Sequence, residues 1–338
     1  MPLSPHPSTW LYPTPQGLWC EPGRFFIDPV RPVERAVITH GHGDHARPGH
    51  QAVLATPETL EIMKVRLGEG AGGTLDPSPY GETRTVGDVE VSLHPAGHIL
   101  GSAQVKIVHR GACAVVSGDY KRAADPTCAP FELQRCNLFI TEATFALPVF
   151  RHAVAGDEAR RLVASIAANP DRAHLLGVYG LGKCQRMIAL VRAAGYDRPI
   201  FLHGALEALC ALYERHGIAL GPLEMVGQRK PEEFAGELVL CPPGDLGSRW
   251  TRRLGDPLTA FASGWMRVRG RARQRGVELP LVVSDHADWP ELLVTIAETG
   301  AEEVWVTHGR EDALIHELGK SGLKARALSL VGFEDEGD

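Results

Sequence analysis

The stretch "AVITHGHGDHARPGH" (36–50) places four histidines and an aspartate directly after a short apolar run. Such runs are typical of buried strands, and in an extended segment residues two apart point the same way. His40 and His42 are therefore expected to bind one metal ion together, since the glycines beside them let the backbone turn tightly. Asp44 and His45 follow on the turn, where we expect them to face a second ion. A solvated histidine-rich loop is the alternative interpretation.

The composition is that of an ordinary globular protein, with 44% hydrophobic and 22% charged residues in a chain of 338. This length allows one large domain or two of moderate size. No apolar run reaches the ~18 residues of a membrane span, and the first residues lack the features of a signal peptide. The seven cysteines are scattered without a CxxC pair, which favours a cytoplasmic protein with reduced thiols and argues against a cysteine-based zinc site.

Charge is distributed unevenly along the chain. The net charge of −6 argues weakly against nucleic acid as a partner, but "RWTRR" (249–253) and "RVRGRARQR" (267–275) are rich in arginine. A local basic patch matters more than net charge when the ligand is a phosphate backbone. The arginines of the second run recur every second residue, so they would line one face of a strand or spread around a helix. The residues expected to contact phosphates are Arg267, Arg269, Arg271 and Arg273, with a solubilising surface as the alternative.

Short β-rich runs recur along the chain, each followed by a turn and often by a helix. The first part is rich in predicted strands, a central part alternates helix and strand, and two strand–helix units close the chain. This pattern predicts an α/β protein with one domain inserted into another. We expect the inserted domain at 149–280 and the surrounding domain at 1–148 and 281–338.

Two helices are marked by their ends. "TPETLEIMKVRL" (56–67) predicts a helix with Thr56 as its N-cap. "DWPELLVTIAETG" (288–300) predicts another, in which Asp288 is the N-cap and Glu291 completes a capping box.

The motif His40-x-His42-x-Asp44-His45 resembles the signature of the metallo-β-lactamase fold. The other residues of that fold's pattern are present in the same order, each after an apolar run, so the resemblance spans nearly the whole chain. They are Asp28 in "FFIDPV", His98 in "PAGHILGSAQV", Asp119 in "AVVSGDY" and His308 in "VWVTHG".

The resemblance implies a dinuclear metal centre. Neutral imidazoles and carboxylates suit Zn²⁺, with Mn²⁺ as the alternative. Two such ions ~3.5–4 Å apart clamp the attacking and leaving oxygens of a reacting phosphate and make hydroxide available at neutral pH. Asp28 is implied to orient a ligand or the loop from outside the ligand set. The implied ligands are His40, His42 and His98 for the first ion, Asp44, His45 and His308 for the second, and Asp119 between the two.

Three further stretches resemble the β-CASP branch of this fold. "AGHILGSAQV" is similar to that branch's "AGHxLGS/A", "TEATF" carries Glu142, and "SDHADWPEL" carries His286. About 140 residues separate Glu142 from His286. The resemblance therefore implies a metallo-β-lactamase αββα sandwich with an inserted β-CASP α/β domain and the active site between them. The short chain and "SGWM" (263–266) look most similar to the bacterial DNA ligase-associated exonucleases.

The implied activity is that of a metal-dependent nuclease, in which a bridging hydroxide attacks the phosphodiester and His286 is the candidate general acid. Asp44, Asp119 and Glu142 complete the implied catalytic set, Glu142 by orienting His286 or a metal ligand. The alternatives are a helix-entry histidine for His286 and a surface carboxylate for Glu142. The expected substrate is DNA, degraded by an exonuclease in repair, in association with a DNA ligase and a helicase.

Two other functions stay open. DNA-acting eukaryotic relatives tend to carry valine where this chain has His308, whereas RNA-acting ones carry histidine. An RNA-processing nuclease of the same branch is therefore the first alternative. A thioesterase-like small-molecule hydrolase is the second, although it gives no reason for the arginine runs or the long insertion.

The stretch "GVYGLGKC" (177–184) nearly matches the phosphate-binding loop G-x-x-x-x-G-K-[ST]. Cys184 replaces the hydroxyl residue that would bind Mg²⁺, which argues against ATP binding. A glycine turn at a helix N-terminus can still hold an anion. Lys183 is therefore a candidate contact to a substrate phosphate, with a solvated lysine as the default.

Overall fold

The computed structural model describes residues 4–328. They form two compact units. The first runs to Pro148 and resumes at His286, and the second covers Val149–Asp285. The sequence pattern predicts that the chain re-enters the first unit at residue 281.

The strands of the described residues are numbered in chain order. They are β1 (Leu11–Thr14), β2 (Gly17–Cys20), β3 (Phe25–Ile27), β4 (Arg35–Val37), β5 (Ala52–Ala55), β6 (Thr74–Pro77), β7 (Thr83–Val86), β8 (Val89–Pro95), β9 (Ala103–His109), β10 (Ala112–Val116), β11 (Leu138–Ala143), β12 (His174–Gly177), β13 (Ile200–Leu202), β14 (Leu223–Met225), β15 (Leu238–Cys241), β16 (Leu258–Ala262), β17 (Leu279–Leu281), β18 (Glu303–Gly309) and β19 (Lys324–Ala327).

The α-helices are numbered in the same way, and short 3₁₀ turns are named only where they matter. The helices are α1 (Pro57–Leu67), α2 (Ala155–Ala168), α3 (Lys183–Ala193), α4 (Gly204–Arg215), α5 (Arg269–Arg275), α6 (Trp289–Thr299) and α7 (Glu311–Lys320). Within residues 4–328, no helix has both the length and the apolar character that crossing a bilayer requires.

The first unit contains two mixed sheets. One has the order β1-β2-β3-β4-β5-β6 and is parallel from β3 onward. The other has the order β19-β18-β11-β10-β9-β8-β7 and is parallel from β10 to β19. Parallel strands end at the same edge of a sheet, so residues that follow β3 and β4, or β10, β11 and β18, are brought together there.

The two sheets of this unit pack face to face. Leu18 and Phe25 from one sheet share a buried cluster with Val105 and Ile140 from the other. The outer face of the first sheet packs against α1, and the outer face of the second packs against α6 and α7. The layers are therefore helix, sheet, sheet, helix. The predicted αββα sandwich is confirmed.

The second unit contains one sheet in which all strands are parallel, in the order β14-β13-β15-β12-β16-β17. Leu238–Cys241 is buried at all four positions, as expected for a central strand with both faces covered. Helices α2 to α5 connect or flank these strands. The predicted mixed α/β character of the chain is also confirmed.

Both predicted helix caps are present. The Thr56 side chain accepts a hydrogen bond from the backbone N–H of Thr59 at the start of α1. At the start of α6, the carboxylate of Asp288 accepts from the N–H of Glu291, and the carboxylate of Glu291 accepts from the N–H of Asp288. These side chains satisfy backbone donors that have no partner inside the helix.

Gly97 precedes the loop histidine His98 and has a left-handed backbone, with φ of 74°. A Cβ atom at Gly97 would lie 2.2 Å from the carbonyl oxygen of Lys121 and 3.0 Å from the backbone nitrogen of Phe131. Both contacts are to backbone, which cannot rotate away as a flexible side chain can. Only glycine therefore fits between these two segments.

We predict that Gly97→Ala lowers the free energy of unfolding by roughly 2–5 kcal/mol, from left-handed strain plus overpacking. Gly81→Ala is the matched control, since Gly81 has φ of 77° and nothing within 4 Å of its added Cβ. It should lose only the strain, about 1–2 kcal/mol. Urea unfolding of both variants measures the difference. Equal losses would contradict the steric argument.

Candidate metal centre

The predicted site residues of the first unit lie at the ends of its strands or in adjoining loops. Parallel β3 and β4 bring one group to the edge of the first sheet, and parallel β10, β11 and β18 bring another to the edge of the second. The positions are Asp28 after β3, His40, His42, Asp44 and His45 after β4, His98 between β8 and β9, Asp119 after β10, Glu142 in β11, His286 before α6 and His308 in β18.

The first cluster comprises three imidazoles and one carboxylate. Nδ1 of His42 lies 3.1 Å from Nε2 of His40 and 3.0 Å from Nε2 of His98. Nε2 of His40 lies 3.4 Å from Oδ2 of Asp119. Donor atoms around a tetrahedral Zn²⁺ with bonds of about 2.0–2.1 Å are roughly 3.3 Å apart. The spacing and chemistry of this cluster therefore fit a metal ion.

The second cluster comprises Asp44, His45 and His308. Oδ2 of Asp44 lies 3.5 Å from Nε2 of His45 and 3.7 Å from Nε2 of His308. Asp119 faces this cluster too, because its Oδ2 lies 3.5 Å from Nε2 of His45 and its Oδ1 lies 3.9 Å from Nδ1 of His308. One carboxylate thus adjoins both clusters.

The electrostatics of these clusters suit cations. Burial lowers the pKa of His40 well below its ordinary value, so this imidazole is neutral, as a metal ligand must be. Burial alone would raise the pKa of Asp119, but His45 and His286 beside it hold that pKa well below its usual range. Within residues 4–328, the buried Oδ1 of Asp119 accepts no hydrogen bond. An ionised, buried oxygen of this kind is stabilised by a cation.

Asp28 and Thr39 hold the histidines from behind. The carboxylate of Asp28 accepts hydrogen bonds from the backbone N–H and the hydroxyl of Thr39, at 2.8 and 2.6 Å. It also lies 2.7 Å from Nδ1 of His45. The hydroxyl oxygen of Thr39 lies 3.1 Å from Nδ1 of His40. These contacts fix both rings so that their Nε2 atoms point into the clusters.

Thr39 is absent from the set predicted from the sequence. In the sequence, the one indication of a role for Thr39 is that a hydroxyl residue stands directly before His40 in "THGHGDH". A threonine at the end of a strand is usually read as a strand former. Its contact with Asp28 links residues eleven positions apart and therefore becomes visible only in the fold.

Glu142 and His286 form a buried pair beside the first cluster. One carboxylate oxygen of Glu142 lies 2.9 Å from Nδ1 of His286, and the other accepts a 2.8 Å hydrogen bond from the backbone N–H of Tyr120. The His286 ring lies 4.7 Å from the ring of His98, centroid to centroid. Glu142 therefore fixes the ring of His286 next to the first cluster. Neither alternative interpretation, a surface carboxylate or a plain helix-entry histidine, describes this buried pair.

Lys183 differs from its expected role. It is fully buried in the second unit, where its ammonium lies 3.1 Å from the carboxylate of Asp285 and donates a 2.9 Å hydrogen bond to the carbonyl of Val283. An ammonium without solvent exposure offers no surface to a substrate phosphate. The expectation of a phosphate contact is corrected to a structural ion pair.

We predict that His98→Ala weakens binding of the first ion at least about 100-fold, because it removes one of three imidazoles from that cluster. Zn²⁺ content per chain after dialysis, measured by plasma mass spectrometry, should fall toward one. His94→Ala is the matched control, since His94 lies outside the clusters and contacts Glu132. Wild-type zinc content in the His98 variant would refute the assignment.

The chain is similar to several known proteins, although no family model matches it. A probable DNA ligase from Opitutus terrae is 30% identical over 94% of this chain and 31% of that protein. Endoribonuclease YSH1 from Gibberella zeae is 26% identical over 56% of this chain and 23% of that protein. The chain thus spans less than a third of either relative.

A solved structure agrees with the fold. The crystal structure of a protein of unknown function from Enterococcus faecalis V583 superposes with a TM-score of 0.59 at 15% identity, covering 88% of this chain and 80% of that chain. At this identity the likeness concerns the fold alone. The motifs, the αββα sandwich and these similarities together relate the chain to the metallo-β-lactamase-fold β-CASP nucleases.

Proposed function

We propose that the chain is a dinuclear metal-dependent nuclease that hydrolyses phosphodiester bonds of DNA, acting as an exonuclease in repair. The observation that carries this proposal is the arrangement of two ligand clusters around one shared carboxylate, Asp119, with the Glu142–His286 pair beside them. The similarity to a probable DNA ligase over 94% of this chain supports DNA as substrate and a functional association with a ligase. A helicase partner and a cytoplasmic location belong to the same proposal.

The chain's own residues divide the work. The first cluster would hold one ion and the second cluster another, and the carboxylate of Asp119 adjoins both clusters. Zn²⁺ is the proposed ion, with Mn²⁺ as the alternative. When bound, such ions lower the pKa of a water molecule and neutralise charge on phosphate oxygens. Asp28 and Thr39 keep the rings of His45 and His40 oriented for that purpose.

His286 is proposed to donate a proton to the leaving oxygen. Its Nδ1 faces the carboxylate of Glu142, which keeps the ring in one orientation. Its Nε2 is then the donor. A deoxyribose alkoxide is a poor leaving group, so protonation of this oxygen lowers the barrier to P–O cleavage.

The arginine run of the second unit forms a helix, α5, rather than a strand. Residues four apart share a side of a helix, so the four arginines within α5 divide into two pairs. Arg271 stacks on the Trp265 ring, 3.6 Å from its centroid, and Arg275 stacks on Phe261 at 4.3 Å. Arg269 and Arg273 lie on the other side of the helix, and all four arginines are exposed. We propose that Arg269, Arg273 and the exposed Arg267 contact phosphates, while Arg271 serves mainly to anchor the helix.

We predict that Arg269→Ala/Arg273→Ala weakens duplex DNA binding and lowers the slope of log K against log salt by about 1–2, since each lost phosphate contact removes about 0.9. Fluorescence anisotropy between low and moderate salt measures both quantities. Arg271→Ala is the control and should leave the slope nearly unchanged. An unaltered slope in the double variant would show that these arginines only solubilise the surface.

The activity itself is tested with end-labelled DNA and RNA strands of matched sequence, single- and double-stranded, with Zn²⁺ and Mn²⁺ supplied separately. We expect stepwise shortening of DNA from its ends, loss of activity with a chelator and no activity in His42→Ala. Absence of cleavage of every strand with either metal would disprove the nuclease assignment.

An RNA-processing nuclease is the second candidate function. Two observations favour it: a relative named as an endoribonuclease, and histidine rather than valine at position 308. The same assay separates the two, because preferential cleavage of the RNA strand would replace the DNA proposal with this one.

A further inference from the structure

Lys121 is a buried lysine of the first unit that lies two residues after Asp119. Only 5% of its surface is exposed. Its ammonium donates a 3.1 Å hydrogen bond to the backbone carbonyl of His286 and lies 3.2 Å from a carboxylate oxygen of Glu291. Lysine is rarely buried unless it is paired and hydrogen-bonded, so these contacts explain how its charge is accommodated.

Glu291 connects this lysine to the first turn of α6. The carboxylate oxygen that faces Lys121 also accepts the backbone N–H of Asp288. Lys121 thus joins the carbonyl of His286 to the capping box two residues further on. The backbone at His286 is thereby held from its carbonyl side.

The neighbouring residue Tyr120 holds the same segment through its main chain. Its carbonyl accepts a 2.6 Å hydrogen bond from the N–H of Ala287, and its N–H donates to Glu142. Glu142 in turn contacts the ring of His286. Tyr120 and Lys121 therefore fix His286 at its ring, at its carbonyl and at the next peptide. Lys121 supplies the side-chain part of this support.

We propose that Lys121 is a positioning residue for His286, an inference that rests on the proposed nuclease function. It holds the backbone carbonyl so that Nε2 of His286 reaches the leaving oxygen. A misplacement of about 1 Å in a reacting group reduces the rate by roughly 100-fold. Loss of the contact between Lys121 and the His286 carbonyl should therefore lower kcat and leave substrate binding unchanged.

The test compares two leaving groups. A DNA strand departs as an alkoxide that needs a proton, whereas the p-nitrophenyl ester of thymidine 5′-monophosphate departs as a stabilised phenolate that needs none. His286→Ala calibrates the pattern, with a large loss on DNA and a small loss on the ester. We expect Lys121→Met to lower kcat on DNA roughly 10- to 100-fold and on the ester by less than about threefold, with unchanged KM and metal content.

Two further variants sharpen the comparison. Lys121→Arg retains the charge and the donors and should recover most of the activity on DNA. Lys106→Met is the matched control, since Lys106 lies on β9 and its ammonium donates to Gln134 rather than to the carbonyl of His286. If Lys121→Met does not fold, Glu291→Gln applies the same test, because it weakens the ion pair and leaves the lysine in place.

The outcomes are distinct. Equal losses on both substrates, or wild-type activity on DNA in Lys121→Met, would overturn the positioning role. A wild-type protein that cleaves neither substrate would instead overturn the proposed function.

Discussion

The carboxylate of Asp119 is the constraint on which the candidate centre depends. It is buried and ionised, and it adjoins both ligand clusters. A buried carboxylate is stable only beside positive charge or strong donors. The pKa values of the surrounding imidazoles shift in opposite directions: burial lowers that of His40, whereas Asp44 and Asp119 outweigh the burial of His45 and raise its pKa. The edge formed by the parallel strands is therefore an environment built for cations.

The support of this centre comes from short-range hydrogen bonds between residues far apart in the chain. Asp28 reaches Thr39 and His45, while Glu142 reaches His286 across 144 positions. The contacts to His45 and His286 each fix a ring that would otherwise rotate. In metal enzymes such partners set the tautomer and the orientation of ligands, so they influence chemistry without touching the substrate. Lys121 extends this support from side chains to the backbone of His286.

Much of the fold and of the candidate site could be predicted from the sequence because its signals are local. In the motif after β4, the spacing of the histidines and the aspartate indicates which side chains point the same way. Helix caps such as Thr56 and Asp288 depend on residues only three positions away. Burial was harder to predict. Lys183 stands in a glycine turn that favours an anion contact, yet the fold pairs it with Asp285, about 100 positions later. The alternating arginines are equally consistent with a strand and with a helix, and only the structure shows that Arg269–Arg275 forms a helix.

The sequence by itself determined which donor atoms exist and that they follow apolar strands, because alternation and chain turns are encoded within a few residues. The αββα sandwich and the distant members of the site followed from the resemblance of these motifs to the metallo-β-lactamase fold. Only the tertiary structure decided that one aspartate adjoins both clusters, that Thr39 orients His40, and that Lys121 holds the carbonyl of His286. Those contacts depend on how parallel strands register against each other and on which loops meet at their ends. Distances of that kind are set by packing, and no local pattern of residues contains them.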